Sequence, residues 1–301
     1  MNVKLTKANN LLLVGLLTVI PFMADASTLE RVRTSNTLTL GYRSDFAPFS
    51  AQAGDHASGY GIELCLKIAN KVKTELDMPG LQVRYQPVTA ADEISAVNSG
   101  KIDVLCTPTP PTLERRKTVS FSIPIYTAGL SAVVRRDASE PLLNVLNGKV
   151  AHTGPTWRAT VNRGLTNQTY AVIAGGVSEA WIRQQMQSLG VVAKLVTVDN
   201  TAAGLKLIAE GKADAFFAER IMLKHLLTSE RFATNLVLLD RIFEYSPTAM
   251  VVDREDENFR LLVDTTLSEL YRSGEIGHAY DNYLGGVSDT DKKLFKVYAI
   301  P

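Results

Sequence analysis

Apolar and polar positions along this chain switch repeatedly between a period of two and a period near 3.6. Leu38 to Tyr42 alternates as a strand does, and Ile62 to Leu76 carries Ile62, Leu64, Cys65, Ile68, Ala69 and Val72 at helical spacing. Leu81 to Pro87 predicts a strand, Ala91 to Asn98 a helix stopped at Ser99-Gly100, and Ile102 to Cys106 another strand. Leu130 to Arg135 predicts a strand that crosses into a second lobe, and Glu140 to Gly148, with Pro141, a linker. Lys149 to Asn167 has no clear period and is expected to be an irregular insertion. Strands are then expected over Thr169–Ala174, Val192–Val198 and Ala213–Phe217, alternating with helices over Ser178–Leu189, Ala202–Glu210 and Ile221–Leu227. Leu236–Leu239 and Pro247–Val252 look like strands, the second returning the chain to the first lobe. Asn258–Ser273 predicts an amphipathic helix stopped by Gly274, and Glu275–Tyr283 a last helix.

Alternating strand and helix of this kind argues for an α/β fold. The expected architecture is two lobes, each a mixed, mostly parallel sheet flanked by helices, joined by two crossing strands that act as a hinge. The expected boundaries are a signal peptide over 1–26, a first lobe from 27–128 and 247–301, and a second lobe over 129–246. The N-terminus has Lys4 and Lys7, an apolar run from Leu11 to Met23, and then Ala24-Asp25-Ala26, a small-x-small site. That sequence of features describes a secretory signal peptide cleaved after Ala26. No Cys follows the apolar run at the cleavage point, which argues against a lipoprotein.

Charge narrows the classes of function. The chain has 301 residues, with 32 Lys and Arg against 31 Asp and Glu. No basic run stands out, so nothing points to nucleic acid as a partner. Its two cysteines, Cys65 and Cys106, would enter an oxidising compartment on export, where an even count favours a disulfide over two buried thiols. Two distant cysteines without a nearby His cluster lack metal-ligand spacing, so no metal or cofactor is expected. The four histidines, His56, His152, His225 and His278, fit no motif, and no Ser-His-Asp or Cys-His arrangement suggests a catalytic residue.

The stretch from Gly100 to Tyr126, GKIDVLCTPTPPTLERRKTVSFSIPIY, carries the most information. A strand is expected to open there into a loop with Pro108, Pro110 and Pro111, and open α/β sheets place ligands at such strand ends. Arg115 follows, with a planar fork of donors suited to a carboxylate. The stretch resembles the G-x-x-D…T-x-E-R…F-S-x-P-Y signature of the periplasmic amino-acid-binding proteins of ABC importers, the type II, family 3 solute-binding proteins. TLGYRSDFAPFS from Thr39, GYGIELC from Gly59, VIAGGVSEAW from Val172, GKADAFFAE from Gly211 and GEIGHAYDNYLG from Gly274 are similar to further blocks of that family in the same order. Glu63 replaces the family's usual Asp in the second of these.

That resemblance implies a cleft site. Arg115 would pair with a ligand α-carboxylate, and Glu219 stands where relatives use Asp for the α-amino group. Gly176 and Val177 would present helix-terminal N–H groups where relatives have Thr-Thr. Phe46 would stack on the ligand. Arg43 matches an Arg of the glutamate/aspartate-like branch, the branch whose Cys pair also corresponds to Cys65 and Cys106. Glu93 replaces a second Arg of that branch, which argues against a glutamate or aspartate ligand; it would pair with Arg43 or with a basic group on the ligand. Pro108 and Pro110 stand where relatives place Ser, Thr or Gly, and proline has no N–H to offer. The function this implies is periplasmic capture, by a monomer, of an amino acid or related small carboxylate for an inner-membrane ABC permease. Two alternatives remain: a cyclohexadienyl-dehydratase-like enzyme on the same fold with Glu219 as an acid, and a binding protein repurposed for sensing or another pathway.

Overall fold

The computed structural model describes residues 27–149, 164–229 and 235–301. The expected signal peptide and the centre of the expected insertion lie outside these. Helix α1 spans Thr28–Ser35, with Ser27 and Glu30 forming a reciprocal cap at its start. Strand β1 (Thr37–Arg43) then leads to a small three-stranded sheet of β2 (Asp45–Phe46), β3 (Ser50–Ala53) and β4 (His56–Ser58). Helix α2 (Tyr60–Glu75), strand β5 (Gln82–Val88), helix α3 (Glu93–Asn98) and strand β6 (Val104–Thr109) follow. The second half holds β8 (Thr169–Ile173), α5 (Val177–Leu189), β9 (Lys194–Val198), α6 (Thr201–Ala209), β10 (Ala215–Glu219), α7 (Arg220–Ser229) and β11 (Leu236–Leu238). Two long strands, β7 (Val119–Arg135) and β12 (Glu244–Asp253), connect the halves, and α8 (Glu257–Ser273), α9 (Ile276–Tyr283) and α10 (Asp289–Tyr298) close the chain.

One sheet runs through the whole fold in the order β5-β1-β6-β12-β7-β10-β8-β9, with β11 beside β7. The outer strands of each half are parallel: β5 with β1, β1 with β6, β10 with β8, and β8 with β9. The two connecting strands are antiparallel to each other and to their neighbours. The register brings the end of β6, at Thr109 opposite Ala249, and the end of β10, at Glu219 opposite Leu130, toward each other at the middle of the crossing pair. The carboxyl ends of open parallel sheets are where ligand crevices form.

Separate apolar cores support the halves. Leu38, Leu40, Ile62, Ile68, Val104 and Phe259 belong to the first, whereas Ala132, Val134, Tyr170, Val172 and Phe217 belong to the second. Helix α2 packs on the first core through the periodic residues seen in the sequence, all buried. Two glycines allow its approach. Gly59 holds φ +128, and a Cβ on Gly61 would stand 2.1 Å from the Cys106 carbonyl oxygen. This contact also brings Cys65 to Cys106, and the two are bonded, with Cα atoms 5.9 Å apart.

Four expectations need correction. Pro108 does not lie in a loop: β6 continues through it to Thr109. The partner register explains this, since Leu105 to Thr109 faces only Val251 to Ala249 on β12, an irregular pairing that dispenses with the Pro108 N–H. The crossing strand begins at Val119 and not at Leu130. Glu140 to Gly148 is mostly helix, α4 (Glu140–Leu146); Pro141 sits in its first turn, where no N–H is required, and Leu142 and Leu146 are buried. Helix α9 is followed by α10, started by a Ser288/Asp291 capping box and anchored by Phe295 between Tyr271 and Tyr280.

Candidate functional site

A cavity of about 600 Å³ opens between the two halves, at the C-terminal ends of β1, β6, β8 and β10. Small-molecule sites commonly span about 300–1,000 Å³. All nine residues singled out as a ligand site line it: Arg43, Phe46, Glu93, Pro108, Pro110 and Arg115 from the first half, and Gly176, Val177 and Glu219 from the second. The crossing strands form its floor through Tyr126, Ala128, Leu130 and Thr248.

Local sequence explains the position of Arg115. The Thr112 hydroxyl accepts the Arg115 backbone N–H at 3.1 Å and starts a short 3-10 turn, Arg115–Lys117. The turn folds the side chain back so that Nη1 donates to the Pro110 carbonyl at 3.0 Å. A proline-rich loop thus supplies an acceptor although it lacks donors. Arg115 Nη2 is left 3.9 Å from Glu93 Oε1. A charge-assisted N–H···O bond is typically about 2.7–2.9 Å, so this pair faces without closing.

Arg43 is differently engaged. Its Nε and Nη2 donate to the two carboxylate oxygens of Asp45 at 3.1 and 3.0 Å. The guanidinium also lies 4.8 Å from the Phe46 ring centroid, within cation–π range. Phe46 is half-buried at the cavity wall, 5.7 Å from the buried ring of Phe49. Glu93 begins α3 and is only 6% exposed. Burial raises its pKa, opposed by the positive charges of Arg43 and then Arg115. Among the described residues, no hydrogen bond reaches its carboxylate.

Glu219 ends β10 and caps α7. Its Oε2 accepts the backbone N–H groups of Ile221 at 2.6 Å and Met222 at 3.1 Å. Its Oε1 accepts the Gly129 N–H at 3.2 Å and the Tyr126 hydroxyl at 3.4 Å. Burial nevertheless pushes its carboxyl up to about 7, outweighing the lowering effect of those bonds. Four donors match the roughly four acceptor positions of a carboxylate.

Helix α5 presents its start to the cavity. Gly175 has φ +68 and Gly176 is the N-cap. The first N–H groups of a helix have no intrahelical partner and favour anions. Trp181, one turn further, lines the same cavity, and its indole N–H donates to Glu244 Oε2 at 3.1 Å. Neither Trp181 nor Glu244 was singled out in the sequence. A tryptophan one turn after a helix-opening Gly-Gly was the available signal for the first; the second follows only from the pairing of β12 with β7.

Comparison with known proteins identifies the family and agrees with the fold. The family described as bacterial extracellular solute-binding proteins, family 3, matches residues 38–286. The L-glutamate/L-aspartate-binding protein of Pseudomonas aeruginosa is 26% identical over 267 residues, covering 87% of this chain and 82% of that protein. The L-cystine-binding protein TcyJ of Escherichia coli is 21% identical over 265 residues, covering 87% and 88% respectively. Among solved structures, an ancestral amino acid-binding protein described as a precursor of cyclohexadienyl dehydratase matches with a TM-score of 0.67 and 23% identity, over 86% of this chain and 99% of that one.

Proposed function

Because this chain belongs to the bacterial extracellular solute-binding proteins of family 3, we propose that it captures an amino acid or a related small carboxylate in the cavity between its lobes. The observation that carries this reading is Arg115. One edge of its guanidinium is fixed on the Pro110 carbonyl, and the other faces the cavity. A cation pre-oriented in this way takes a carboxylate at little entropic cost. The start of α5 adds N–H donors from the opposite lobe, so a ligand carboxylate that reaches both sides favours the closed arrangement. Residues 27–128 with 247–301 would move against 129–246, and the paired β7 and β12 would absorb the motion. Export after Ala26 would deliver a monomer to the periplasm, and an inner-membrane ABC permease would receive the ligand. The relatives' names support an amino acid: one binds glutamate and aspartate, another cystine.

A thermal-shift screen of the purified protein against amino acids, polyamines, small carboxylates and prephenate tests this. A ligand well above its Kd raises the melting temperature. Amino-acid shifts support capture. If no amino acid or carboxylate shifts the protein, the reading fails.

One observation favours a second reading. Glu219 lines the cavity with its carboxyl held near 7, a value suited to proton transfer. Turnover of prephenate in the same screen would support a dehydratase-like enzyme and displace the transport reading.

A further inference from the structure

The buried Glu93 and the half-buried Glu219 both line the cavity, and they differ in what they can still accept. Glu219 takes three backbone N–H groups and one hydroxyl, which fills its acceptor positions. An incoming ammonium would have to displace a bond that holds α7 or the crossing strand β7. Glu93, with only 6% of its surface exposed, accepts no hydrogen bond among the described residues, and it lines the cavity. Glu93's carboxylate oxygens keep access to the cavity, since Thr201 Oγ1 is the one fully buried side-chain polar atom without a partner among the described residues, and a ligand ammonium there would supply the donors that water otherwise provides.

The surrounding charges point the same way. Arg43 and Asp45 neutralise each other through two hydrogen bonds. Arg115 and Glu93 remain, opposite in sign and 3.9 Å apart without bonding. Arg43, Asp45, Glu93 and Arg115 sum to zero charge. A zwitterion adds none, whereas a plain carboxylate would leave the cluster with an uncompensated negative charge in a desolvated place. A carboxylate and an ammonium on neighbouring atoms form the complement of a facing guanidinium and carboxylate.

Resting on the solute-capture reading, we infer that Glu93 receives the ligand's cationic nitrogen beside Arg115, and that Glu219 is a positioning residue that does not touch it. Both charges of the ligand are then recognised on the first lobe. The second lobe supplies the start of α5, Trp181 and the amides of Gln184 and Gln185. The ligand class is a small molecule with a carboxylate and a cationic nitrogen a few ångströms apart. A second side-chain carboxylate would meet an Arg43 whose charge Asp45 already compensates through Nε and Nη2.

Calorimetry on the purified protein tests this with the twenty standard amino acids and L-cystine. For the compound bound most tightly, Kd is measured together with that of its desamino analogue, in wild type, Glu93→Gln and Glu93→Asp. Wild type should prefer the amino acid by about a hundredfold, as expected for a buried charged contact. Glu93→Gln should reduce that preference to less than about fivefold while still binding the desamino analogue, and Glu93→Asp should retain most of it. A preference unchanged in Glu93→Gln overturns the inference and leaves solute capture standing. Equal weakening of both compounds also overturns it, since a merely structural role acts on both. If wild type binds no amino acid, solute capture of this class fails, and the inference with it.

Discussion

Glu219 Oε1 accepts the Gly129 backbone N–H at 3.2 Å, joining the end of β10 to the crossing strand β7. The other oxygen of the same carboxylate caps α7 through Ile221 and Met222. One side chain thus links the floor of the cavity, the wall of the second lobe and a strand shared by both lobes. A cavity-facing carboxylate in this position is part of the frame that sets the shape of the cleft.

Stability should therefore depend on pH through Glu219. Its folded carboxyl titrates near 7, above the ordinary glutamate range. Between those values the folded protein holds a proton that the unfolded chain has released, so stability falls as pH rises across the window and levels off above it. Burial also raises Glu93, Asp103 and Asp264, each of which makes stability change in the same direction with pH, above its own unfolded value. Thermal melts from about pH 5 to about pH 8 should show a falling Tm in wild type and a shallower fall in Glu219→Gln. At neutral pH the variant should also lose about 1–3 kcal/mol, because its NH₂ group faces backbone donors. A wild-type Tm that rises across this window would contradict the assignment.

The Cys65–Cys106 bond closes a loop with a sequence separation of 41 and pins α2 to β6. Chain-entropy arguments put its stabilisation at about 4 kcal/mol. Cys65→Ala/Cys106→Ala should unfold at a correspondingly lower urea concentration with a similar m-value, and dithiothreitol should reproduce the loss in wild type. Equal midpoints in reduced and oxidised protein would show that the bond contributes nothing.

Arg115→Ala should weaken any carboxylate ligand by about two orders of magnitude or more, since a charged partner of a desolvated carboxylate is typically worth about 2–5 kcal/mol. Arg115→Lys should recover only part of this, because an ammonium cannot both hold the Pro110 carbonyl and present a planar edge to the ligand. Affinity unchanged by calorimetry in Arg115→Ala would remove Arg115 from the site.

Much of the frame was legible in the sequence because it rests on periodicity. The buried face of α2 and the alternation of β1 are local signals. The places that misled were settled by neighbours distant in the chain. Pro108 sits in a strand because β12 leaves a gap in its pairing there. Pro141 opens a helix because Leu142 and Leu146 find the second core. The resemblance brought nine residues to one cavity but did not show their bonding. Nothing local to Glu219 indicates that Gly129, ninety residues away, shares its carboxylate. Asp45, two residues from Arg43, is a local neighbour, and its hold on two of the Arg43 donors was legible in the charge pattern but not read there.

Ligand capture should be visible in the fluorescence of Trp181. The chain has two tryptophans, and Trp181 lies in the cavity wall with its indole N–H on Glu244. Its ring packs 6.3 Å from Phe217 and 5.7 Å from Phe243, so it joins the second core to the cleft. Closure of the lobes around a ligand changes the water and dipoles at such a ring. Titration with a bound solute should therefore shift the emission, with a midpoint equal to the calorimetric Kd. Trp181→Phe should keep the apolar packing and remove the part of the shift that this ring reports, because Trp181 itself lines the cavity. A shift of undiminished size in Trp181→Phe would place the reporting ring elsewhere and detach Trp181 from the closing of the cleft.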